Sequence, residues 1–366
     1  MFKTLIIIQS NVCYQLLNSL FRKDFSEKPI FYHSDEPVPV IQNIIKNGFL
    51  SKTFSPVWWA RNGHVQTLLT ALNVNKPTDI SFKREIIKLP DGGQLALDWG
   101  HVIDNPHLEG DDILLVLPGL TGAAIDYRSI VKLGLQRNYR VVVFNKRGHG
   151  GLELTTAKLQ SFGYPYDVRF VLENFRKRFR ERKIHAIGFS AGSGLLVSYL
   201  GYFPDDPIID GAVAVSPGYD AEHLLKILPN FYAFLMLMKL KFMIWQHRKV
   251  LKKAVNMRRA VSTSCFEEFE QVVYGAPNGY NDIKDYWKEN NPIMALKHIK
   301  IPVMCISSMD DPVCVGEVVK FDYFYSNPHS LLCATKRGGH CAFFHGSEMK
   351  RWAEDMALDF LHHIKN

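Results

Sequence analysis

The chain has 366 residues, a net charge of +8 and a hydrophobic content of 47%, which allows a sizeable buried core. This length fits one large α/β domain with an insertion as well as it fits two domains. The positive charge is compatible with an ordinary surface or with contact to an anionic membrane, and no nucleic-acid-binding motif is present.

The six cysteines form no C-x-x-C pair and have no metal-ligand spacing, and the sequence contains no N-x-S/T glycosylation site. These observations favour a reducing, cytosol-facing environment. They predict no metal site in this protein.

Residues 1–55 are expected to form an N-terminal arm, which begins MFKTLIIIQSNVCYQLLNSLFRK. Leu5–Ile8 resembles a short signal-peptide core, but polar residues follow it and no small-residue cleavage site is evident. The segment is too polar for a spanning helix of about 20 apolar residues. A shortened anchor, an interfacial helix and a packed amphipathic start are all open, and an interfacial, membrane-associated element is favoured.

Two tryptophans, Trp58 and Trp59, stand just before the polar run NGHVQT at residues 62–67. We interpret this region as a structural loop that is held by burial of its aromatic side chains. A direct catalytic role is the less favoured interpretation.

Strand and helix patterns alternate through residues 56–220, the first part of the expected core. A hairpin predicted at 85–99 precedes a continuous apolar run at 113–117, which is typical of a central parallel strand. Helices are predicted at 127–136 and 166–182, and further strands at 140–144, 184–187 and 211–215. This alternation predicts a doubly wound, mainly parallel sheet of the α/β class.

The stretch Lys183–Gly201 predicts a strand, a sharp turn and a helix, with Ser190 at the apex of a G-x-S-x-G motif. The two flanking glycines keep side chains away from a serine in a strained conformation. We therefore expect Ser190 to be a nucleophile, with the N–H of Ala191 directed at an attacked carbonyl oxygen. Leu120, in the glycine-bearing turn after the first central strand, is the expected second donor of this oxyanion hole.

Further polar groups follow two predicted strands near the C-terminus. One strand precedes Asp310 and Asp311, and the next precedes His340. Because parallel strands have their carboxyl ends at one edge of a sheet, Ser190, an aspartate and His340 form a candidate Ser-His-Asp triad. Asp311, which is followed by Pro312, is the preferred acid. Asp310 is expected to be solvated or to cap a helix, and it stays the alternative.

The alternation stops after residue 220 and resumes at residue 301, so residues 221–300 are expected to be a helical cap inserted over Ser190. The cap is interpreted either as a buried helical subdomain or as a lid that offers apolar side chains to a lipid and basic ones to headgroups. We expect Phe231, Phe234 and Met238 to be its substrate-facing residues. Residues 301–366 complete the core.

In their order and spacing these motifs resemble those of the α/β-hydrolase-domain lipases called AB hydrolase family 4, which include animal monoacylglycerol lipases and phospholipases and microbial esterases. The resemblance covers residues 55–360. Two departures are present: Pro118-Gly119 stands where many relatives have His-Gly at the oxyanion turn, and Ser193 stands where they often have glycine. The motifs that carry the resemblance are NGHVQT (62–67), LPGLTG (117–122), NKRG (145–148), GFSAG (188–192), DDP (310–312) and GGH (338–340).

The resemblance implies an α/β-hydrolase fold and hydrolysis of lipid esters through an acyl-enzyme on Ser190, without a metal or an organic cofactor. The expected partners are a lipid ester substrate and a membrane surface, with no nucleic acid. The expected location is membrane-associated and cytosol-facing, at the endoplasmic reticulum or the plasma membrane. Two alternatives stay open: an acyltransferase that uses the same acyl-enzyme, and a non-catalytic lipid-binding protein on a hydrolase scaffold.

Overall fold

The computed structural model describes residues 26–74, 76–103, 110–161 and 163–365. The first 25 residues of the expected arm lie outside this part of the chain. The membrane-associated element expected there therefore stays a prediction.

Within the described residues, nine strands form one sheet in the spatial order β1-β9-β8-β7-β6-β4-β5-β3-β2. The strands from β4 to β9 pair in parallel, whereas β1, β2 and β3 pair antiparallel at the two edges. This topology confirms the predicted doubly wound, mainly parallel sheet. The strands are β1 (Ile30–His33), β2 (Ile80–Lys88), β3 (Gln94–Val102), β4 (Asp112–Leu117), β5 (Tyr139–Asn145), β6 (Ile184–Phe189), β7 (Gly211–Val215), β8 (Val303–Ser308) and β9 (Ser330–Thr335).

Helices cover both faces of the sheet and also fill the insertion between β7 and β8. A separate short hairpin is formed by β10 (Phe344–His345) and β11 (Lys350–Arg351). In chain order the helices are α1 (Pro39–Lys46), α2 (Gly63–Ala71), α3 (Arg128–Gln136), α4 (Tyr166–Arg178), α5 (Ala191–Tyr202), α6 (Ala221–Ile227), α7 (Asn230–Gln246), α8 (Arg248–Leu251), α9 (Met257–Ser262), α10 (Phe266–Glu270), α11 (Ile283–Asn290), α12 (Pro292–Leu296), α13 (Phe321–Ser326) and α14 (Trp352–Lys365).

Strand β4 shows why the central strands read as continuous apolar runs. Its alternate residues Ile113, Leu115 and Leu117 belong to the apolar cluster that includes α4 and α5. Leu114 and Val116 belong to the cluster on the other face, with α1, α3 and α14. A strand that is buried on both faces has no polar side to reveal a period of two.

The expected N-terminal arm is partly a component of the sheet. Residues 30–33 form β1 and pair antiparallel with β9, from Ile30 opposite Ala334 to His33 opposite Leu331. No alternating pattern marks this strand in the sequence, because it has only four residues and three of them are half-buried. The arm therefore completes the edge of the core.

The insertion forms a helical cap over the carboxyl edge of the sheet. Its apolar side chains join core residues such as Leu154 and Val313 in a third buried cluster. No single helix among the described residues is long and apolar enough to cross a membrane. Helices α6 and α7 reach that length and composition only as a pair, and the chain bends by 118° between them.

Candidate active site

Ser190 lies at the turn between β6 and α5. Its backbone has φ +52° and ψ −122°, which is strained for a residue with a side chain. The Ser190 N–H donates to the carbonyl of Val215 in β7 at 2.9 Å, and this bond ties the turn to the neighbouring strand. Gly192 permits the turn, because a Cβ there would lie 2.0 Å from the carbonyl oxygen of Leu117. The strand, sharp turn and helix expected from the sequence are therefore present.

His340 lies in the loop after β9, and its ring reaches Ser190. His340 Nε2 is 2.7 Å from Ser190 Oγ. The backbone N–H of His340 donates to Thr67 Oγ1 at 2.9 Å, and the next N–H, of Cys341, donates to Ser216 Oγ at 3.0 Å. Two hydroxyl groups from other parts of the chain thus fix the backbone on which the imidazole is mounted.

Asp311 and not Asp310 contacts the imidazole. Asp311 Oδ2 is 2.9 Å from His340 Nδ1, and Asp311 Oδ1 accepts from the N–H groups of Val313 and Cys314 at 2.7 and 2.8 Å. Both carboxylate oxygens of this buried side chain are therefore engaged. Burial, the largest single influence, lowers the pKa of His340, but its neighbours together, the Asp311 carboxylate first among them, hold that pKa well above its ordinary value of 6.5.

Asp310 does not contact the imidazole, and its role differs from the expected one, which was to be solvated or to cap a helix. Its Oδ1 accepts from Ser308 Oγ and, at 3.0 Å, from the N–H of Gly339. Gly63 of α2 approaches it so closely that a Cβ at this position would lie 2.0 Å from the Asp310 carbonyl oxygen. Asp310 thus joins the loop of β8 to the loop that carries His340.

Leu120 and Ala191, the expected oxyanion donors, lie beside Ser190 and line the same cavity. The turn after β4 comes close to the serine, because a Cβ on Gly119 would lie 3.4 Å from Ser190 Cβ. Across the described ranges, neither the N–H of Leu120 nor that of Ala191 donates to a backbone carbonyl. Both donors are therefore available to an added group.

Three side chains to which the sequence analysis assigned no role fix the turn after β4. Lys146 Nζ donates to the carbonyls of Gly119 and Leu120 at 3.0 and 3.1 Å, and His149 Nε2 is 3.0 Å from the latter. The N–H of Gly119 donates to the Tyr127 hydroxyl at 2.7 Å. Burial lowers the pKa of Lys146 to about 8 and that of His149 to about 3. Lys146 belongs to the NKRG motif, which was the available signal.

The NGHVQT run forms the start of α2 and supports the loop that carries His340. Thr67, which receives the His340 N–H, is part of this run. Aromatic burial does not hold it, and that interpretation is wrong: Trp58 and Trp59 are 45% and 46% exposed. Hydrogen bonds hold it instead, because the buried Gln66 side chain donates to the carbonyls of Ala60 and Phe344 and accepts from the Phe344 N–H.

A cavity between the core and the cap opens at Ser190. Phe231, Phe234 and Met238, the expected substrate-facing residues, do not line it and are 66%, 62% and 48% exposed. Met236 and Leu240 of the same helix line it. Helix α7 is apolar on both faces, so its sequence does not reveal which face is inward. The apolar lining consists of Leu120, Ala191, Leu195, Ala221, Leu224, Leu225, Met236, Leu240, Phe266 and Val313.

One group of side chains within the described residues has the proximity that a metal ion would need: Asp311, Cys314 and His340. Their donor atoms are otherwise engaged. Both Asp311 oxygens and both His340 nitrogens take part in the hydrogen bonds described above. Burial raises the pKa of the Cys314 thiol to about 11, which keeps it protonated. The hydrogen-bonded and protonated state of these side chains is suited to proton transfer and not to binding a metal ion.

A serine at a strained strand-to-helix turn and a histidine–aspartate pair at the next strand ends are characteristic of α/β hydrolases. The family model described as alpha/beta hydrolase fold matches residues 112–347, and the chain belongs to this family. The resemblance derived from the motifs is thereby confirmed.

Three relatives and one solved structure extend this result. The chain is 30% identical to human protein ABHD15 (83% of this chain, 67% of that protein) and 30% identical to human phospholipase ABHD3 (81% and 75%). It is 27% identical to the monoacylglycerol lipase of Saccharomyces cerevisiae (82% and 78%). The Pyrococcus furiosus esterase Pf2001 is similar in fold, with a TM-score of 0.51 and 19% identity over 78% of this chain and 92% of that chain.

Proposed function

We propose that this protein is a serine carboxylic ester hydrolase that cleaves lipid esters through Ser190, His340 and Asp311. The observation that carries the proposal is the continuous hydrogen-bonded path from Asp311 through His340 to Ser190, at 2.9 and 2.7 Å. The strained backbone of Ser190 supports it, because such strain is retained where the surrounding structure holds it for function.

In the proposed first half-reaction, Ser190 Oγ attacks the acyl carbonyl carbon and its proton passes to His340 Nε2. Asp311 keeps the other ring proton on Nδ1 and stabilises the imidazolium that forms. The N–H groups of Leu120 and Ala191 stabilise the negative charge on the former carbonyl oxygen. The carbon–oxygen bond to the alcohol then breaks, and the alcohol leaves with the proton from His340.

In the second half-reaction, water attacks the acyl-enzyme while His340 again accepts a proton. The tetrahedral intermediate collapses to a free carboxylic acid, and the proton returns to Ser190 Oγ. Every proton transfer uses one nitrogen, His340 Nε2. The chemistry therefore calls for no group beyond the side chains and N–H groups named above.

A lipid is the proposed substrate class for two reasons. The cavity at Ser190 is walled mainly by apolar side chains of the core and the cap, as an acyl chain requires. Two of the relatives carry the names phospholipase and monoacylglycerol lipase. Glycerophospholipids and monoacylglycerols are accordingly the first substrates to test.

We further propose that the outer face of α7 docks on an anionic membrane. Six apolar side chains recur on this face at three- or four-residue spacing and are between 42% and 66% exposed. Residues 223–266 contain nine lysines and arginines and no aspartate or glutamate. An apolar stripe with basic neighbours binds interfacially by apolar burial and by attraction to anionic headgroups. The stripe consists of Phe231, Phe234, Leu235, Met238, Phe242 and Trp245.

The proposed location is the cytosol-facing surface of such a membrane. All five cysteines in the described part of the chain are free, which supports a reducing compartment.

The test uses the purified full-length chain with phosphatidylcholine vesicles and with dispersed monoacylglycerol, and mass spectrometry of the released fatty acid. We expect release by the wild-type protein and a loss on the order of 10⁴-fold or more in Ser190→Ala. Equal release by both proteins would show that Ser190 is not the nucleophile. Formation of a new ester with added alcohol, in place of fatty acid, would identify an acyltransferase instead.

A further inference from the structure

The cavity that opens at Ser190 has a second polar region, next to α11. Glu270, at the end of α10, accepts a hydrogen bond from Trp287 Nε1 at 2.7 Å. Ser161 Oγ, from the loop before α4, donates to Asn290 Oδ1 at 3.1 Å. Trp287 and Asn290 both belong to α11, so Glu270 and Ser161, which line the cavity, are both held by this helix. We call this part of the lining the α11 end.

The α11 end and the polar groups around Ser190 have different hydrogen-bond partners. Lys146 also lines the cavity, but its ammonium group is bound to the carbonyls of Gly119 and Leu120 in the turn after β4. The lining thus has two sets of polar groups. One set is the reacting groups with a buried cation, and the other, at the α11 end, is a carboxyl group and an amide.

The α11 end has hydrogen-bond acceptors without donors. The Gln160 side chain is only 4% exposed and lines the cavity, and its Nε2 donates to the Tyr164 carbonyl at 3.2 Å. No donor in the described part of the chain reaches Gln160 Oε1. Among the same residues, Trp287 is the one donor to the Glu270 carboxylate. A buried acceptor without a donor destabilises the protein, so this end is suited to an occupant that donates hydrogen bonds.

The chemistry of this end favours a neutral donor. Burial raises the pKa of Glu270 to about 7, so the protein disfavours a full charge at this position. A carboxylate on the occupant would offer Gln160 Oε1 a further acceptor in place of a donor, and it would bury a charge. A hydroxyl group donates to such acceptors and carries no charge.

We propose that the cavity binds an acyl chain that carries a hydroxyl group several carbons from the ester carbonyl, with the hydroxyl bound by Gln160 and Glu270. This rests on the proposed function, because it assigns the cavity to the acyl half of an ester that Ser190 attacks. The apolar side chains that also line the cavity, such as Leu224 and Phe266, then contact the methylene groups of the chain.

The experiment compares p-nitrophenyl esters of ω-hydroxy acids of six to twelve carbons with isosteric esters in which a methyl group replaces the hydroxyl. At one chain length we expect the wild-type kcat/KM to be about 10-fold or more higher for the hydroxy ester. In Gln160→Met and in Glu270→Met this ratio should fall to 1 or below. Glu267→Gln, which changes an exposed acid on the same helix, should leave the ratio unchanged. Labelling of Ser190 by a fluorophosphonate verifies that each variant is folded.

Several results would overturn the proposal. One is a wild-type ratio at or below 1 at every length, and another is a ratio that Gln160→Met and Glu270→Met do not alter. An ω-amino ester that reacts faster than the hydroxy ester would show selection of a cation. These results leave the proposed esterase intact as long as the methyl-terminated esters are cleaved. If neither ester series is cleaved, the proposed function fails and this proposal fails with it.

Discussion

The carboxyl edge of the sheet and helix α7 of the cap bound the same cavity, but different interactions position them. At the sheet edge Asp311 and His340 are fixed by hydrogen bonds from separate parts of the chain. Helix α7 packs its buried side, including Leu240 and Ile244, against the third apolar cluster. Hydrogen bonds specify positions within a fraction of an ångström, whereas apolar packing accepts many shapes. We therefore expect changes at the edge to alter rates and changes on α7 to alter access.

The largest contrast within the sheet edge is between two adjacent acids. Asp311→Asn removes the carboxylate that orients the imidazole, and we expect kcat for a soluble ester to fall on the order of 10⁴-fold. Asp310→Asn keeps an oxygen that can accept from Gly339, so a loss below about 10-fold is expected. Steady-state kinetics on p-nitrophenyl butyrate measure both, and similar losses would reject the assignment of Asp311.

The same pair makes a pH test with a defined sign. His340 must be neutral to accept a proton, so activity falls as the pH drops through its pKa. Because Asp311 raises that pKa, the acid limb of kcat/KM should lie above pH 6.5 in the wild-type protein. In Asp311→Asn the limb of the residual activity should move to lower pH, whereas in Asp310→Asn it should stay in place. A limb that does not move in Asp311→Asn would contradict the electrostatic role of Asp311.

A smaller effect is expected from the buried amine behind the oxyanion turn. Lys146→Met leaves the carbonyls of Gly119 and Leu120 without their shared donor, so the turn that carries the Leu120 N–H loses its position. Loss of an entire oxyanion donor costs 10²- to 10³-fold, and we expect displacement to lower kcat by about 10- to 100-fold with little change in KM. Lys158→Met, whose amine contacts Tyr164, is the matched control. An unchanged kcat in Lys146→Met would show that the turn after β4 keeps its position without the Lys146 amine.

The smallest effect on chemistry is expected from the outer face of the cap. Replacing Lys239 and Arg248 with glutamate should weaken binding to anionic vesicles by about 10-fold or more, since each basic residue near such a surface contributes about 1 kcal/mol. Hydrolysis of a soluble ester should be nearly unchanged. The same charge change at Lys177 and Arg180, exposed residues at the end of α4 and just beyond it, is the control in a vesicle sedimentation assay. Equal losses in the two double variants would show that vesicle binding depends on the net charge of the protein and not on the outer face of α7.

The same contrast explains what could be predicted from the sequence. Ser190, Asp311 and His340 each follow a short apolar strand, and a local pattern of this kind reports where a strand ends. The side of α7 that faces the cavity is decided by tertiary packing. Apolar side chains lie on both faces of this helix, so Met236 and Leu240 could not be distinguished from Phe234 and Met238.

The supports of the site were also invisible to local patterns. Thr67 accepts from His340, which lies 273 residues further along the chain, and nothing near Thr67 in the sequence indicates this partner. Tyr127 accepts from Gly119, only eight residues away, but across a turn whose shape no local pattern reports. Strand β1 was missed for a similar reason, because its register is set by β9, about 300 residues later.

Trapping the covalent intermediate tests the proposed nucleophile most directly. The full-length protein is incubated with a fluorophosphonate and, separately, mixed rapidly with p-nitrophenyl butyrate and quenched in acid, and both samples are analysed by peptide mass spectrometry. We expect a single phosphonyl or butyryl group on the peptide that contains Ser190, and no adduct in Ser190→Ala. An adduct on another residue, or an unmodified Ser190 in a protein that turns over the ester, would contradict the proposed mechanism.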